Sequence, residues 1–187
     1  ISIAGPGVDF KLPSVGSGGL RRRSRFGFEG YEAEDSPWLA GMHERKGSLW
    51  LGAAATWDAG PVQLSAELLG DASGHSKGRQ FTIKAERRFQ QGAWDITPRL
   101  ALQQQNRKTV DYYYGVQAGE ARLGRPAYEG SSAVNLQAGV RVGYTLAPRQ
   151  WVFVDMSATR LGSAIKDSPL VNRSSQPAVT AGYLYRF

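Results

Sequence analysis

The sequence contains no cysteine and only two histidines, His43 and His75. Without thiols there is no disulfide framework, no thiolate metal site and no cysteine nucleophile. No apolar run approaches the roughly 20 residues that a spanning helix needs, so a helical membrane protein is excluded. Heptads, linkers and any helix longer than a turn are also missing, which leaves a single domain over residues 1–187. No charged n-region with an apolar h-region follows Ile1, so any secretory signal has been removed or lies outside this chain.

Glycine is abundant at 23 residues and aromatics reach 11%, a composition suited to strands joined by tight turns. The net charge is +7, with 41% hydrophobic residues and a mean hydropathy of -0.38. That is too apolar for a disordered tail and too polar for a bundle of membrane helices. Period-2 alternation dominates. Val134, Leu136, Ala138, Val140, Val142, Tyr144 and Leu146 alternate with Asn135, Gln137, Gly139, Arg141, Gly143 and Thr145. Such spacing belongs to a strand with one apolar and one polar face. The pattern recurs in 62–68, 80–86 and 94–103, less regularly in 1–11, 22–33 and 48–58, and again in 150–160 and 177–187, for about nine strands.

Connections at 58–61, 90–92 and 147–149 are tight, whereas 34–47, 71–77, 104–131 and 162–176 are long. Outer-membrane barrels pair short periplasmic turns with long external loops. Because single-chain bacterial barrels normally have an even strand count, nine strands imply a further one before Ile1, missing from this chain. The expected fold is therefore an all-β, antiparallel transmembrane barrel of about ten strands. A soluble barrel would share the periodicity, but three features favour the membrane. The polar face, with Glu29, Glu67, Lys84, Glu86, Arg88, Asp95, Arg99, Arg141, Asp155 and Arg186, suits a narrow lumen filled by ion pairs. Trp50, Trp57, Trp94, Trp151, Tyr144, Tyr183 and Tyr185 lie near strand ends, as an interfacial girdle requires. Finally, Thr180, Gly182, Tyr185 and Phe187 in the closing strand resemble the signal read by the barrel-assembly machinery, where an open edge invites strand addition.

The blocks Tyr112-Tyr113-Tyr114-Gly115-Val116, Ala121-Arg122, Pro126-Ala127-Tyr128, Thr159-Arg160-Leu161, Asp167-Ser168-Pro169-Leu170-Val171 and Gly182-Tyr183-Leu184-Tyr185-Arg186-Phe187 resemble, in order and spacing, the MltA-interacting protein (MipA/OmpV) family. Weaker likenesses occur at 39–42 and 71–78. The resemblance implies a non-enzymatic scaffold in the bacterial outer membrane, embedded in lipid and lipopolysaccharide. Its implied partners are a murein lytic transglycosylase and a murein synthase. Other members of the family are linked to adhesion, osmotic response and antibiotic handling. The alternative is a small channel or uptake/adhesion protein.

Catalysis finds little support: His75 with Ser76 and Asp71 has the residue types of a hydrolase site but not the His-x-Ser-Asn order of outer-membrane lipid hydrolases. Neither histidine has neighbours at metal-ligand spacing, and no cofactor is expected. Asp71 to Gly78 supplies a single carboxylate where a calcium loop supplies several. Arg21, Arg22 and Arg23 are candidates for an anionic polymer near the periplasmic strand end, a solvated rim being the simpler reading. No motif accompanies them that would suggest nucleic acid. Tyr112, Tyr113 and Tyr114 are candidates for ligand stacking, packing of the external loop against the mouth being preferred.

Overall fold

The computed structural model describes residues 2–4, 7–11 and 18–185. Its strands are β1 (Ser2–Ala4), β2 (Gly7–Lys11), β3 (Gly18–Phe26), β4 (Leu49–Ala59), β5 (Val62–Asp71), β6 (Arg79–Glu86), β7 (Phe89–Gln91), β8 (Trp94–Gln105), β9 (Ala133–Ala147), β10 (Gln150–Arg160) and β11 (Ser175–Tyr185). They form one antiparallel meander in chain order, with β7 set beside β8. β6 and β7 hold one register along β8, with Glu86 opposite Arg99 and Phe89 opposite Ile96. The ladder lapses between them at Pro98, which has no N–H to donate to the facing strand. Counted as one interrupted strand, β6 and β7 bring the meander to ten strands, the architecture of a transmembrane β-barrel.

Residues 1–11 do not make the single strand expected of them, because β1 and β2 pair there as a hairpin. The described residues thus hold ten strands where nine were expected. The strand expected over 22–33 sits earlier, at β3, and residues 27–30 have left the sheet.

Alternation separates two faces. Leu68, Ile83, Leu100, Leu102, Val134, Leu136, Val154 and Met156 are exposed on the outside, the apolar band that lipid requires. Gln80, Asp95, Asn135 and Asp155 are buried on the inside. Of the expected girdle, Trp57, Trp94, Tyr183 and Tyr185 are exposed on the outer face, and Tyr144 packs edge-on against Trp94 at 4.8 Å. All lie toward the end with the two-residue turns at 60–61, 92–93 and 148–149. Trp50 and Trp151 do not belong to the girdle. Trp50 is fully buried and stands opposite Arg25 and Asp71, and Trp151 shares its face with Asp155, so parity turns both rings inward.

The other end is closed. Loop 106–132 carries α1 (Arg107–Tyr114), a helix that the strand pattern concealed; Asn106 caps it by accepting from the Thr109 N–H at 3.1 Å. Tyr113 packs on Trp50 and Leu69 inside the mouth, and its hydroxyl meets Ser48 Oγ at 2.8 Å. Val110 joins Ala133, Leu161, Ala164 and Ile165, bringing in the short α2 (Ser163–Lys166).

A buried carboxylate joins this loop to residues 27–48. Glu120 accepts from the Gln117 and His43 N–H groups at 2.9 Å and from Arg45 Nη2 at 3.0 Å on both oxygens. Arg45 also donates from Nε to the Tyr112 carbonyl at 2.8 Å, and Arg125 donates to the carbonyls of Glu120 and Ala40. Burial pushes the Glu120 carboxyl up, but the hydrogen bonds from Gln117 and His43 and the Arg45 guanidinium outweigh it and hold the group below its ordinary value. A depressed carboxylate contributes stability that is complete above the unfolded value of about 4.3 and is lost as the pH falls through the folded one. Amide exchange over 107–125, corrected for intrinsic rate, is therefore expected to accelerate below about pH 4. Glu120→Gln leaves Arg45 buried without its carboxylate, at a cost of about 3–5 kcal/mol, and should accelerate that exchange already at neutral pH.

Candidate functional site

Beneath the cap, the half of the lumen toward the short turns holds a chamber of about 1320 Å³. The wall is charged, yet its ion pairs run along it rather than across it. Arg99 grips Asp155 through two bonds, at 2.9 and 2.6 Å, and Arg141 Nε reaches the same carboxylate at 2.9 Å, joining β8, β9 and β10. Lys84 pairs with Glu86 at 2.6 Å, and Arg88 with Asp95. The expected lumen packed solid with ion pairs is thus replaced, in this half, by an open space. Charges on one strand, or on strands no more than two places apart, satisfy one another, so no side chain has to cross the bore.

Two aromatic side chains share this wall. Trp151 and Phe153 stack with centroids 5.0 Å apart and planes 26° from parallel. They can lie against the wall because glycines lie beneath them: a Cβ on Gly143 would come within 2.4 Å of the Trp151 indole, and one on Gly182 within 2.4 Å of the Phe153 ring. Arg141 stands 5.1 Å from the Phe153 centroid. Gln63, Gln90, Thr97, Thr145, Gln150 and Thr180 add amides and hydroxyls to the lining. At the rim, Arg149 takes a left-handed φ of 72° in its tight turn and makes no ion pair among the described residues. Arg88 lines the chamber beside it, whereas Arg87 faces outward, 4.6 Å from the exposed Phe89 ring. Neither the aromatic pair nor this basic rim was among the expected sites. The inward Asp155 carried the signal, since it places Phe153 and Trp151 on its own face.

The arginine run lies within β3 rather than at its periplasmic end. Arg23 clasps Asp9 at 2.7 and 2.6 Å and also pairs with Glu67, while Arg21 stands 3.9 Å from Asp9. Arg22, opposite Phe10 and Ala53, points the other way, is exposed on the outer face and makes no ion pair among the described residues. Tyr112, Tyr113 and Tyr114 all lie in α1. The Tyr112 hydroxyl accepts from the Lys46 N–H at 2.9 Å, and the Tyr114 carbonyl accepts from Ser168 at 2.6 Å.

His75 and Ser76 are not joined into a catalytic pair. The His75 ring meets the Gly47 carbonyl at 2.8 Å, while Ser76 donates to Asp71 at 2.9 Å. The Asp71 carboxylate is taken up by N–H groups of Ser73, Ser76 and Lys77, the role of a turn cap. Among the described residues no group of three His, Cys, Asp or Glu side chains is placed to hold a metal ion. In the closing strand, Thr180 and Gly182 face inward opposite Asp155 and Phe153, and Tyr185 is exposed. Phe187 and Arg186 lie outside the described residues.

Comparison with known proteins places this geometry. The family model for MltA-interacting protein MipA matches residues 4–187. The outer membrane protein OmpV of Vibrio cholerae is 29% identical over 158 residues, covering 84% of this chain and 61% of the relative. Omp26La of Vibrio anguillarum, also named an outer membrane protein, is 28% identical over 157 residues, with the same two coverages of 84% and 61%. The MltA-interacting protein of Escherichia coli is 25% identical over 147 residues, 78% of this chain and 59% of the relative. The chain thus spans about three fifths of the length of these relatives. A ten-stranded antiparallel barrel with a capped mouth, matched by this family model along nearly its whole length, is an outer-membrane protein of Gram-negative bacteria and belongs to the MltA-interacting protein (MipA) family.

Proposed function

We propose that this protein is a non-enzymatic scaffold that holds peptidoglycan-remodelling enzymes, a lytic transglycosylase and a murein synthase, at the inner face of the outer membrane. The observation that carries the reading is the asymmetry of the barrel's ends. The long-loop end is capped by α1 and the Glu120–Arg45 pair, whereas the short-turn end, periplasmic by the rule for outer-membrane barrels, presents Arg88 and Arg149 around an open chamber. The name of the Escherichia coli relative, MltA-interacting protein, supports a partner of the transglycosylase class.

Two contacts of the envelope complete the reading. Arg22 on the outer face addresses the phosphate of a lipid or lipopolysaccharide, because an unpaired guanidinium at a lipid-facing position is otherwise costly. β11 pairs only with β10 among the described residues and is exposed along nearly its whole length, which supports its use as the edge on which the barrel-assembly machinery acts.

Affinity capture from detergent-solubilised envelopes is expected to recover a lytic transglycosylase and a murein synthase with the native protein. The double variant Arg88→Glu with Arg149→Glu is expected to lose most of that recovery, because charge reversal at an interface costs several kcal/mol. Failure to recover either enzyme, with other envelope complexes intact, overturns the scaffold. The channel reading is favoured by the chamber alone and opposed by the cap. Planar-bilayer conductance is therefore expected at background for the native protein, and to rise when Tyr113→Ala is combined with Glu120→Gln.

A further inference from the structure

We infer that the periplasmic half of the lumen is a binding site for an acidic oligosaccharide, whose pyranose ring rests on the Trp151–Phe153 pair and whose carboxylate is met by Arg149 at the rim. This site does not depend on any protein partner. The argument begins with the bore. A barrel of this strand number ordinarily fills its interior with side chains, but here Gly143 and Gly182 let two large rings lie against the wall, and the charged pairs stay along the wall, within one strand or across no more than one intervening strand. What results is a chamber of about 1320 Å³, above the roughly 300–1,000 Å³ of ordinary ligand sites. It lies beneath the cap, where Trp50, Leu69 and Tyr113 pack together, and is lined at its other end by turn residues Gly60, Pro61, Ala93 and Arg149.

The chemistry of the lining selects the ligand class. An apolar ligand would have to desolvate Lys84, Glu86, Arg88, Asp95 and Asp155, which is unfavourable. A simple inorganic anion would leave the aromatic pair unused. A sugar uses both: its C–H face packs on an aromatic ring, and its hydroxyls take hydrogen bonds from the surrounding amides, hydroxyls and guanidinium groups. Preference for an acidic sugar comes from the charge balance. Lys84, Arg88, Arg99 and Arg141 already have carboxylate partners, whereas Arg149 has none among the described residues. A free guanidinium at the rim forms a bidentate pair with a planar carboxylate.

Isothermal titration of the full-length protein in detergent distinguishes the possibilities with two probes, a hyaluronan tetrasaccharide and neutral chitotetraose. The acidic tetrasaccharide is expected to bind at least tenfold more tightly than the neutral one. Trp151→Ala should weaken both at least tenfold, and Arg149→Gln should abolish the preference between them. Trp57→Phe, on the outer face, should change neither. Arg149 lies in an exposed turn, so its variant tests the site even where Trp151→Ala fails to fold, which heat-modifiable mobility reports. Equal affinity for the two sugars, binding unaltered in both variants, or no binding of either sugar overturns the proposal.

Discussion

The fold follows from the demand that strands crossing lipid pair their backbone groups and keep charge off the outer face, Arg22 being an exception. Antiparallel pairing meets the first demand from β2 to β10, and the outer edges of β1 and β11 have no partner strand among the described residues. The second drives Arg21, Arg23, Glu67, Lys84, Arg99, Arg141 and Asp155 to the inside, where each finds a partner. Their pairings then join β2, β3 and β5 on one side and β8, β9 and β10 on the other. Because these wall pairs nearly cancel, the net charge noted in the sequence resides in cations without a carboxylate partner among the described residues, Arg22 on the lipid side and Arg149 at the short-turn rim among them.

The strands were legible because their signal is local. Alternation with period 2 needs only consecutive residues, and β10 occupies 150–160 as expected from Asp155 and its apolar neighbours. The first eleven residues misled because a strand of three and a strand of five are too short for alternation to separate, and only their pairing reveals the hairpin. α1 was concealed for a related reason. Eight residues of Arg, Lys, Thr, Val, Asp and Tyr have weak helical preference, so the helix depends on the Asn106 cap and on burial of Tyr113 and Val110 against the mouth.

The aromatic residues show where local reading ends. Position near a strand end suggested a girdle for seven of them, but a girdle also requires the outward parity. Trp57, Trp94 and Tyr144 have it; Trp50 and Trp151 do not. The information was present in the sequence, since Trp151 lies four residues from Asp155 and so on the same face. The chamber, by contrast, was not available from any one strand. It depends on Gly143 in β9 and Gly182 in β11 lying beneath side chains of β10, a coincidence of register across three strands.

The asymmetry between the two ends has the same origin as the fold. The two-residue turns at 60–61, 92–93 and 148–149 hold no more than the residues needed to reverse the chain, so none of them can fold back into the lumen. Long loops at the other end contain enough chain to form α1 and to bury it, and once buried their polar groups must be satisfied, as Glu120 is by Arg45 and two backbone N–H groups. A capped mouth at one end and an open chamber at the other thus follow from loop length, and they leave the chamber's polar lining toward the short-turn end.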